Sequence, residues 1–282
     1  MEKLEAALAK ARQARKASLP PGAAEASVEH SSPLSRARAA AISTQVDWTG
    51  LPELQIMQDF ARQMRLSAVV GGKDATPYDM LRSRAIRTMK EKGWKRLAIT
   101  SPNAACGKTT VAANLALSLA RQKDLAIMLV DVDLRRPALH KLLGHKPANS
   151  FHQVLTGEVA FEDHAVRMED NLIILTNKSP VQNPAELLHS EKTRDILSAI
   201  EAKWKPDVMI FDMSPMLASD DNVGFLSNVD CALLVAAAES TTVSNIDVCE
   251  KELAELTNVL GIVLNKCRYS DDSAGFGYEA YE

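Results

Sequence analysis

No stretch of this sequence is long and apolar enough to span a membrane. The longest apolar run is CALLVAAA at 231–238, well short of the ~18 residues a spanning helix needs. The opening MEKLEAALAKARQARKAS carries acidic residues and lacks the apolar centre of a secretory signal. Both absences predict a cytoplasmic protein that reaches a membrane only through a partner. Net charge is small as well, at −3, so there is no general footprint for nucleic acid. Cysteine is scarce: Cys106, Cys231, Cys249 and Cys267 stand far apart with no C-x-x-C pair. That pattern fits reduced thiols and excludes a disulfide framework. Tyrosine is scarcer than chance placement allows for most of the chain, because three of its four copies fall in the last fourteen residues.

What is present is a core. Hydrophobic residues make up 46% of 282 positions, enough for one large α/β domain. Residues 1–50 read as a flexible arm with a short alanine-rich helix near its start, followed by a Pro- and Ser-rich linker. Residues 51–267 form the predicted domain, and 268–282 a flexible tail. Within the domain, a helix starts at Pro77 and ends before Gly93. Strand RLAIT, a helix from Gly107, strand AIMLVDVD, a helical region near PALHKLLG, strand LIILT and helix TRDILSAIEAKW come next. Strands DVMIFDMS and DCALLVAAA, helix VSNIDVCEKELAELT and strand VLGIVLNK complete the alternation. Apolar strands with little alternation, separated by amphipathic helices, predict a mostly parallel sheet with helices on both faces.

The segment SPNAACGKTT at 101–110 joins the first of these strands to its helix. It follows the phosphate-loop pattern G-x-x-x-x-G-K-[ST], except that Pro102 stands in place of the first glycine. Such a loop turns successive backbone N–H groups toward a phosphate at a helix N-terminus. The donors here are Ala105, Cys106, Gly107, Lys108, Thr109 and Thr110. Gly107 permits close backbone approach, Lys108 reaches the β- and γ-phosphates, and Thr109 offers its hydroxyl to Mg²⁺. A glycine–lysine pair at a helix start is weak evidence alone. Asp131 and Asp133 end the next strand, and Asp212 ends a third. A single strand-end aspartate is ordinarily a cap or turn residue, but three beside one phosphate loop suit a Mg-nucleotide site.

Five stretches carry a resemblance: TSPNAACGKTTVAANLALSLA, LVDVDLRRP, NPAELLHS, FDMSPMLASDD and LGIVLNK. They resemble the bacterial P-loop tyrosine kinases of capsular and exopolysaccharide synthesis, a branch with partition-ATPase-like topology, over roughly residues 77–282. In that family the loop begins Ser-Pro, so Pro102 belongs to a variant of the motif rather than to a damaged one. Asp131, Asp133 and Arg135 match its second box, and Asp212 and Pro215 its third. The resemblance implies ATP and Mg²⁺, with Thr109, Asp133 and Asp212 serving the metal. It implies Asp131 as acceptor of the tyrosine proton, and Asn265 is a candidate adenine contact. It further implies a homo-oligomer activated by a segment of a membrane polysaccharide copolymerase. Two departures stand out. Ala104, Ala105 and Cys106 replace the common Pro-Gly-Glu, and Cys106 is read as a small loop filler in preference to a redox control. The family's E-x-x-R-x-x-R helix appears as Asp79 and Arg82, with Ala85 in the third place and Arg84 or Arg87 as substitutes.

Tyr269, Tyr278 and Tyr281 lie among glycines and acids, which predicts an exposed tail. The family phosphorylates a C-terminal tyrosine cluster, so these are the expected phospho-acceptors. The leading expectation is an ATP-dependent tyrosine autokinase regulating polysaccharide polymerisation or export. Two alternatives stay open: an ATP-driven switch of the septum-site and partitioning type, and an adaptor without kinase activity. The switch proteins carry a second lysine early in their loop, and none occurs here between Lys95 and Lys108.

Overall fold

The computed structural model describes residues 47–268; the N-terminal arm and the three tail tyrosines lie outside that range. The described residues form seven strands: β1 Arg96–Thr100, β2 Ile127–Asp131, β3 Val166–Met168, β4 Leu172–Leu175, β5 Val208–Asp212, β6 Cys231–Ala237 and β7 Asn258–Asn265. They form one sheet in the order β3-β4-β2-β5-β1-β6-β7. Every pairing is parallel except β3 with β4. β1, β5 and β6 meet at the centre, where the chain turns from one half of the sheet to the other. The crevice beyond the strand C-termini is the ligand position in such sheets.

Strands β2, β4, β5 and β6 are buried along their whole length, which is why their sequences do not alternate. Successive residues feed separate cores. Met209 and Phe211 join a cluster with Phe151, Leu197 and Trp204. Their neighbours Val208 and Ile210 pack with Leu115, Leu119 and Met89. Truncating a wholly buried ring such as Phe211 would cost about 3–5 kcal/mol.

The principal helices are α1 Thr76–Lys92, α2 Lys108–Ala120, α3 Phe151–Thr156, α4 Pro184–His189, α5 Glu191–Trp204 and α6 Val243–Leu256. Local chemistry sets their ends. Gly93 closes α1 in the left-handed conformation at φ 71°, donating to the Lys90 and Met89 carbonyls. Ser190 and Thr242 cap α5 and α6 by accepting from the backbone N–H of Thr193 and Asn245. α2 is buried through almost all its length, including Asn114 and Ser118. Its small alanines let it lie close under the sheet. Asn114 spends its amide on Arg65 and Thr110 carbonyls at 3.0 and 2.9 Å.

Several short elements escape the sequence reading, β3, α3 and α4 among them. β3 is three residues long and runs antiparallel, and residues 52–54 pair beside it through Leu54 N–H to Arg167 O at 2.7 Å. α3 and α4 each have six residues, too few to display a helical period. The folded region also reaches back to Trp48, which is 3% exposed and donates its indole N–H to the Trp204 carbonyl at 3.2 Å.

Candidate nucleotide and phosphoryl-transfer site

The loop from Ser101 to Gly107 leaves the buried end of β1 and turns into α2. Two of its residues lie in the left-handed region, Ala105 at φ 64° and Gly107 at φ 93°. Alternating conformations of this kind curl backbone N–H groups into a concave anion nest. Gly107 is required twice over: its φ disfavours a side chain, and a Cβ there would stand 2.2 Å from Asn265 Nδ2. Ala105 accepts the same kind of backbone without glycine's freedom, a local strain held by its surroundings. Pro102 donates nothing, and nothing is asked of it as donor. Its carbonyl accepts from Leu217 N–H at 3.0 Å, and the Ser101 carbonyl accepts from Met216 N–H at 2.8 Å. The start of the loop is thereby fastened to the segment that follows β5.

That segment brings in Asp212. β1 and β5 are neighbours, β5 and β2 likewise, and Asp131 is registered directly against Asp212. Lys108 reaches into this group. Its Nζ lies 2.8 Å from Asp133 Oδ2, 3.2 Å from Asp212 Oδ1 and 3.3 Å from Thr109 Oγ1. Although it opens the helix at the end of a loop, Lys108 is buried, with 9% of its surface accessible. The cause is the two carboxylates, which replace the water its ammonium would otherwise keep. Burial opposes the charged ammonium, yet Asp212 and Asp133 outweigh it and hold its pKa above the ordinary lysine value.

The two acids of the second box do not act alike. Asp133 pairs with Lys108, and its Oδ1 accepts from Ser214 Oγ at 3.2 Å and from Arg136 N–H at 3.1 Å. Among the described residues Asp131 touches no cation. One oxygen accepts from Asp133 N–H at 3.2 Å, and the other is buried without a partner, as is Asp212 Oδ2. Burial, then the charge of Asp212, push the Asp131 carboxyl well above the usual carboxylate range. Burial also raises Asp212, against the pull of Lys108.

Among the described residues no three ligands converge as a ready-made metal cluster. The donor set still fits a magnesium nucleotide. Thr109 Oγ1 and the unpartnered carboxylate oxygens are hard ligands, and Mg²⁺ keeps several waters beside one or two carboxylates and the phosphates. Cys106 is buried at 1%, with Sγ 3.5 Å from Thr241 Oγ1, in keeping with a filler. Thr110 lies in the first turn of α2, half-buried. Asn265 sits against the loop, donating from Nδ2 to the Cys106 carbonyl at 2.9 Å, so part of its amide already serves the loop.

Several residues that shape the site were not singled out by sequence. Asn177, at the end of β4, donates to the Asp131 carbonyl at 2.8 Å. Asp221, 1% exposed in its side chain, takes a two-pronged grip on Arg135 at 2.5 and 2.9 Å. Asn222 holds the Ser214 carbonyl at 2.8 Å. Asp221 and Asn222 thus brace both acid-bearing loops. Asp221 closes the FDMSPMLASDD stretch and Asn222 follows it directly, which was the available signal; nothing in residue spacing distinguishes them from solvent-facing polar residues.

A phosphate loop after the central strand, with strand-end acids from its neighbours, defines a P-loop NTPase of the partition-ATPase type. The family described as ParA: NUBPL iron-transfer P-loop NTPase matches residues 94–281. Tyrosine-protein kinase YwqD of Bacillus subtilis is 34% identical over 204 residues, covering 69% of this chain and 84% of YwqD. This chain therefore belongs to the bacterial tyrosine-kinase family within the ParA-type P-loop NTPases. A putative tyrosine-protein kinase in the cps region of Klebsiella pneumoniae is 28% identical over 216 residues; the match takes in 76% of this chain but only 28% of that protein. The chain thus spans about a quarter of the longer kinases it resembles and most of the shorter YwqD. Among solved structures, the VpsO kinase domain matches with a TM-score of 0.63 and 26% identity, over 74% of this chain and 98% of that domain.

Proposed function

We propose that this chain is an ATP-dependent protein tyrosine autokinase whose acceptors are Tyr269, Tyr278 and Tyr281. The observation that carries the reading is the Lys108–Asp133–Asp212 ion group with Asp131 beside it and outside its ion pairs. Phosphoryl transfer asks a protein mainly for positioning and charge neutralisation. Lys108 would exchange its carboxylate partners for the β- and γ-phosphates. Mg²⁺, held by Thr109 and through water by Asp133 and Asp212, would neutralise charge on the transferred group. Asp131, free of any cation and raised in pKa, suits a general base. It would take the phenolic proton while the tyrosine oxygen bonds to the γ-phosphorus and ADP leaves. The backbone nest from Ala105 to Thr110 would hold the phosphates, and Asn265 would contact the base.

Among the described residues no helix is long and apolar enough to cross a membrane. Membrane association in this reading comes through a polysaccharide copolymerase whose cytoplasmic segment activates a homo-oligomer of the kinase. The output is control of polysaccharide polymerisation or export. The test is incubation of purified chain with Mg-ATP, followed by phosphosite mapping. Phosphate on the three tail tyrosines, absent after Asp131→Asn, supports the reading. ATP hydrolysis with no phosphotyrosine would replace it with the ATP-driven switch.

A further inference from the structure

β7 is an edge strand and lies two places from β1 in the sheet, yet its last residue touches the phosphate loop that follows β1. Asn265 is registered against Ala237 of β6, and its carbonyl accepts from Ala238 N–H at 2.8 Å. That ladder fixes its backbone. From there its Nδ2 donates to the Cys106 carbonyl at 2.9 Å. The same nitrogen fills the space that a side chain on Gly107 would need, 2.2 Å from where the Cβ would stand. Beside it, Cys106 Sγ lies 3.5 Å from Thr241 Oγ1, which also accepts Ala237 N–H at 2.9 Å. The C-terminal end of β7 and the turn after β6 therefore grip the loop where it enters α2.

The peptide that Asn265 holds is the one most free to rotate on covalent grounds. Turning the plane between Cys106 and Gly107 changes ψ of the first residue and φ of the second, and glycine tolerates either sign of φ. A planar trans peptide directs its C=O and N–H to opposite sides. With the Cys106 carbonyl turned to Asn265, Gly107 N–H is turned the other way, and it has no backbone acceptor among the described residues. We infer that Asn265 is a positioning residue of the phosphate loop: by holding the Cys106 carbonyl it keeps Gly107 N–H aimed for a phosphate, independently of any contact with the base. The inference rests on the nucleotide reading of the site and deepens it. Gly107 and Asn265 are then fitted partners, one lacking the side chain whose place the other takes. The start of the loop has separate fixings, since Met216 and Leu217 N–H groups hold the Ser101 and Pro102 carbonyls. Loss of the Asn265 amide therefore frees one peptide plane and leaves the remainder of the loop in place.

Inorganic tripolyphosphate, which has no base, separates a loop role from a base contact. Full-length wild type, Asn265→Ala and Asn265→Asp are titrated calorimetrically with tripolyphosphate and with ATP, both in the presence of Mg²⁺. Loss of one half-buried hydrogen bond predicts tripolyphosphate binding roughly threefold to tenfold weaker in Asn265→Ala. Asn265→Asp keeps the shape but sets a carboxylate against the Cys106 carbonyl, so weakening of roughly tenfold or more is expected. Tripolyphosphate affinity unchanged in both variants, with ATP weakened, makes Asn265 a base contact alone and overturns the inference. Unchanged affinity for both ligands overturns it too. Either result leaves the nucleotide site standing, whereas wild-type protein that binds neither ligand removes the site and the inference together. A double-mutant cycle separates the direct fit from a general loosening of the fold. Gly107→Ala should weaken tripolyphosphate binding less in the Asn265→Ala background than in wild type, because the side chain it must displace is gone. Additive losses, or melting temperatures that fall in step with the affinities, would assign Asn265 to the fold alone and overturn the inference.

Discussion

Lys108 Nζ stands 2.8 Å from Asp133 Oδ2, at the base of the phosphate loop, with Asp212 Oδ1 at 3.2 Å on its other side. The lysine that a nucleotide would need is held by the same acids that would serve its metal ion. Mutation of Lys108 therefore disturbs the fold as well as the activity. Lys108→Met leaves Asp133 and Asp212 buried without their cation, a change that costs about 3–5 kcal/mol when a buried pair is broken. Part of that cost is relieved as Asp212 binds a proton. Since burial already raises Asp212, the variant's folded state takes up protons more readily than its unfolded state. Its stability should fall as pH rises above the carboxylate range and recover on acidification. Denaturant midpoints near neutrality and near pH 5 check this; equal, wild-type-like midpoints would contradict it.

The two left-handed positions of the loop should respond in opposite directions. Ala105 at φ 64° bears a cost that glycine avoids. Ala105→Gly is expected to stabilise by on the order of 0.5–1 kcal/mol with nucleotide affinity kept or improved. Gly107→Ala must displace Asn265, and ATP affinity should fall roughly tenfold or more, as expected for a misplaced anion nest. Calorimetric titration with ATP, alongside thermal melts, measures both.

Acid should weaken the fold through His164. Its ring is buried against Phe151 with neither nitrogen hydrogen-bonded. Burial, then the charges of His145 and His152, lower its pKa to about 4, against roughly 6.5 in an unfolded chain. A depressed histidine keeps its full contribution above the unfolded pKa and loses it as pH falls toward the folded one. About 3 kcal/mol is at stake between pH 6.5 and 4. His164→Phe should flatten that limb of the stability curve. A variant that follows the wild-type curve would show that other groups govern acid sensitivity.

The helix α1 positions Asp79 and Arg82 for work within their own chain. Asp79 Oδ1 accepts from Ser118 Oγ at 2.7 Å and Arg121 at 2.9 Å, and Arg82 bonds the Ser118 carbonyl at 3.0 Å. Ala85 faces the core. Asp79→Asn is expected to cost about 1 kcal/mol, while the molar mass by light scattering stays unchanged. A drop in molar mass would instead place this acid in a subunit contact.

The sequence made the parallel sheet and the phosphate loop legible because both have strong local signatures. Long apolar strands, the Gly93 stop and Gly-Lys-Thr at a helix start leave marks within a few residues. The site's wiring was less legible. The burial of Lys108 and the separate duties of Asp131 and Asp133 depend on the register of β2 against β5, which one strand does not encode. β3 and α4 were missed because three and six residues are too few for a period. Asn177 and Asp221 were missed because polar residues in loops look alike until their partners are known.

The most direct test of the central claim is transfer of phosphate between chains. Active protein is mixed with Lys108→Ala chain that carries Tyr269, Tyr278 and Tyr281, or with Lys108→Ala chain in which all three are phenylalanine. With Mg-ATP present, phosphate should enter the first acceptor and not the second, and its initial rate per molecule should rise with protein concentration. Equal labelling of both acceptors, or of neither, would contradict tyrosine phosphorylation of the tail by this site.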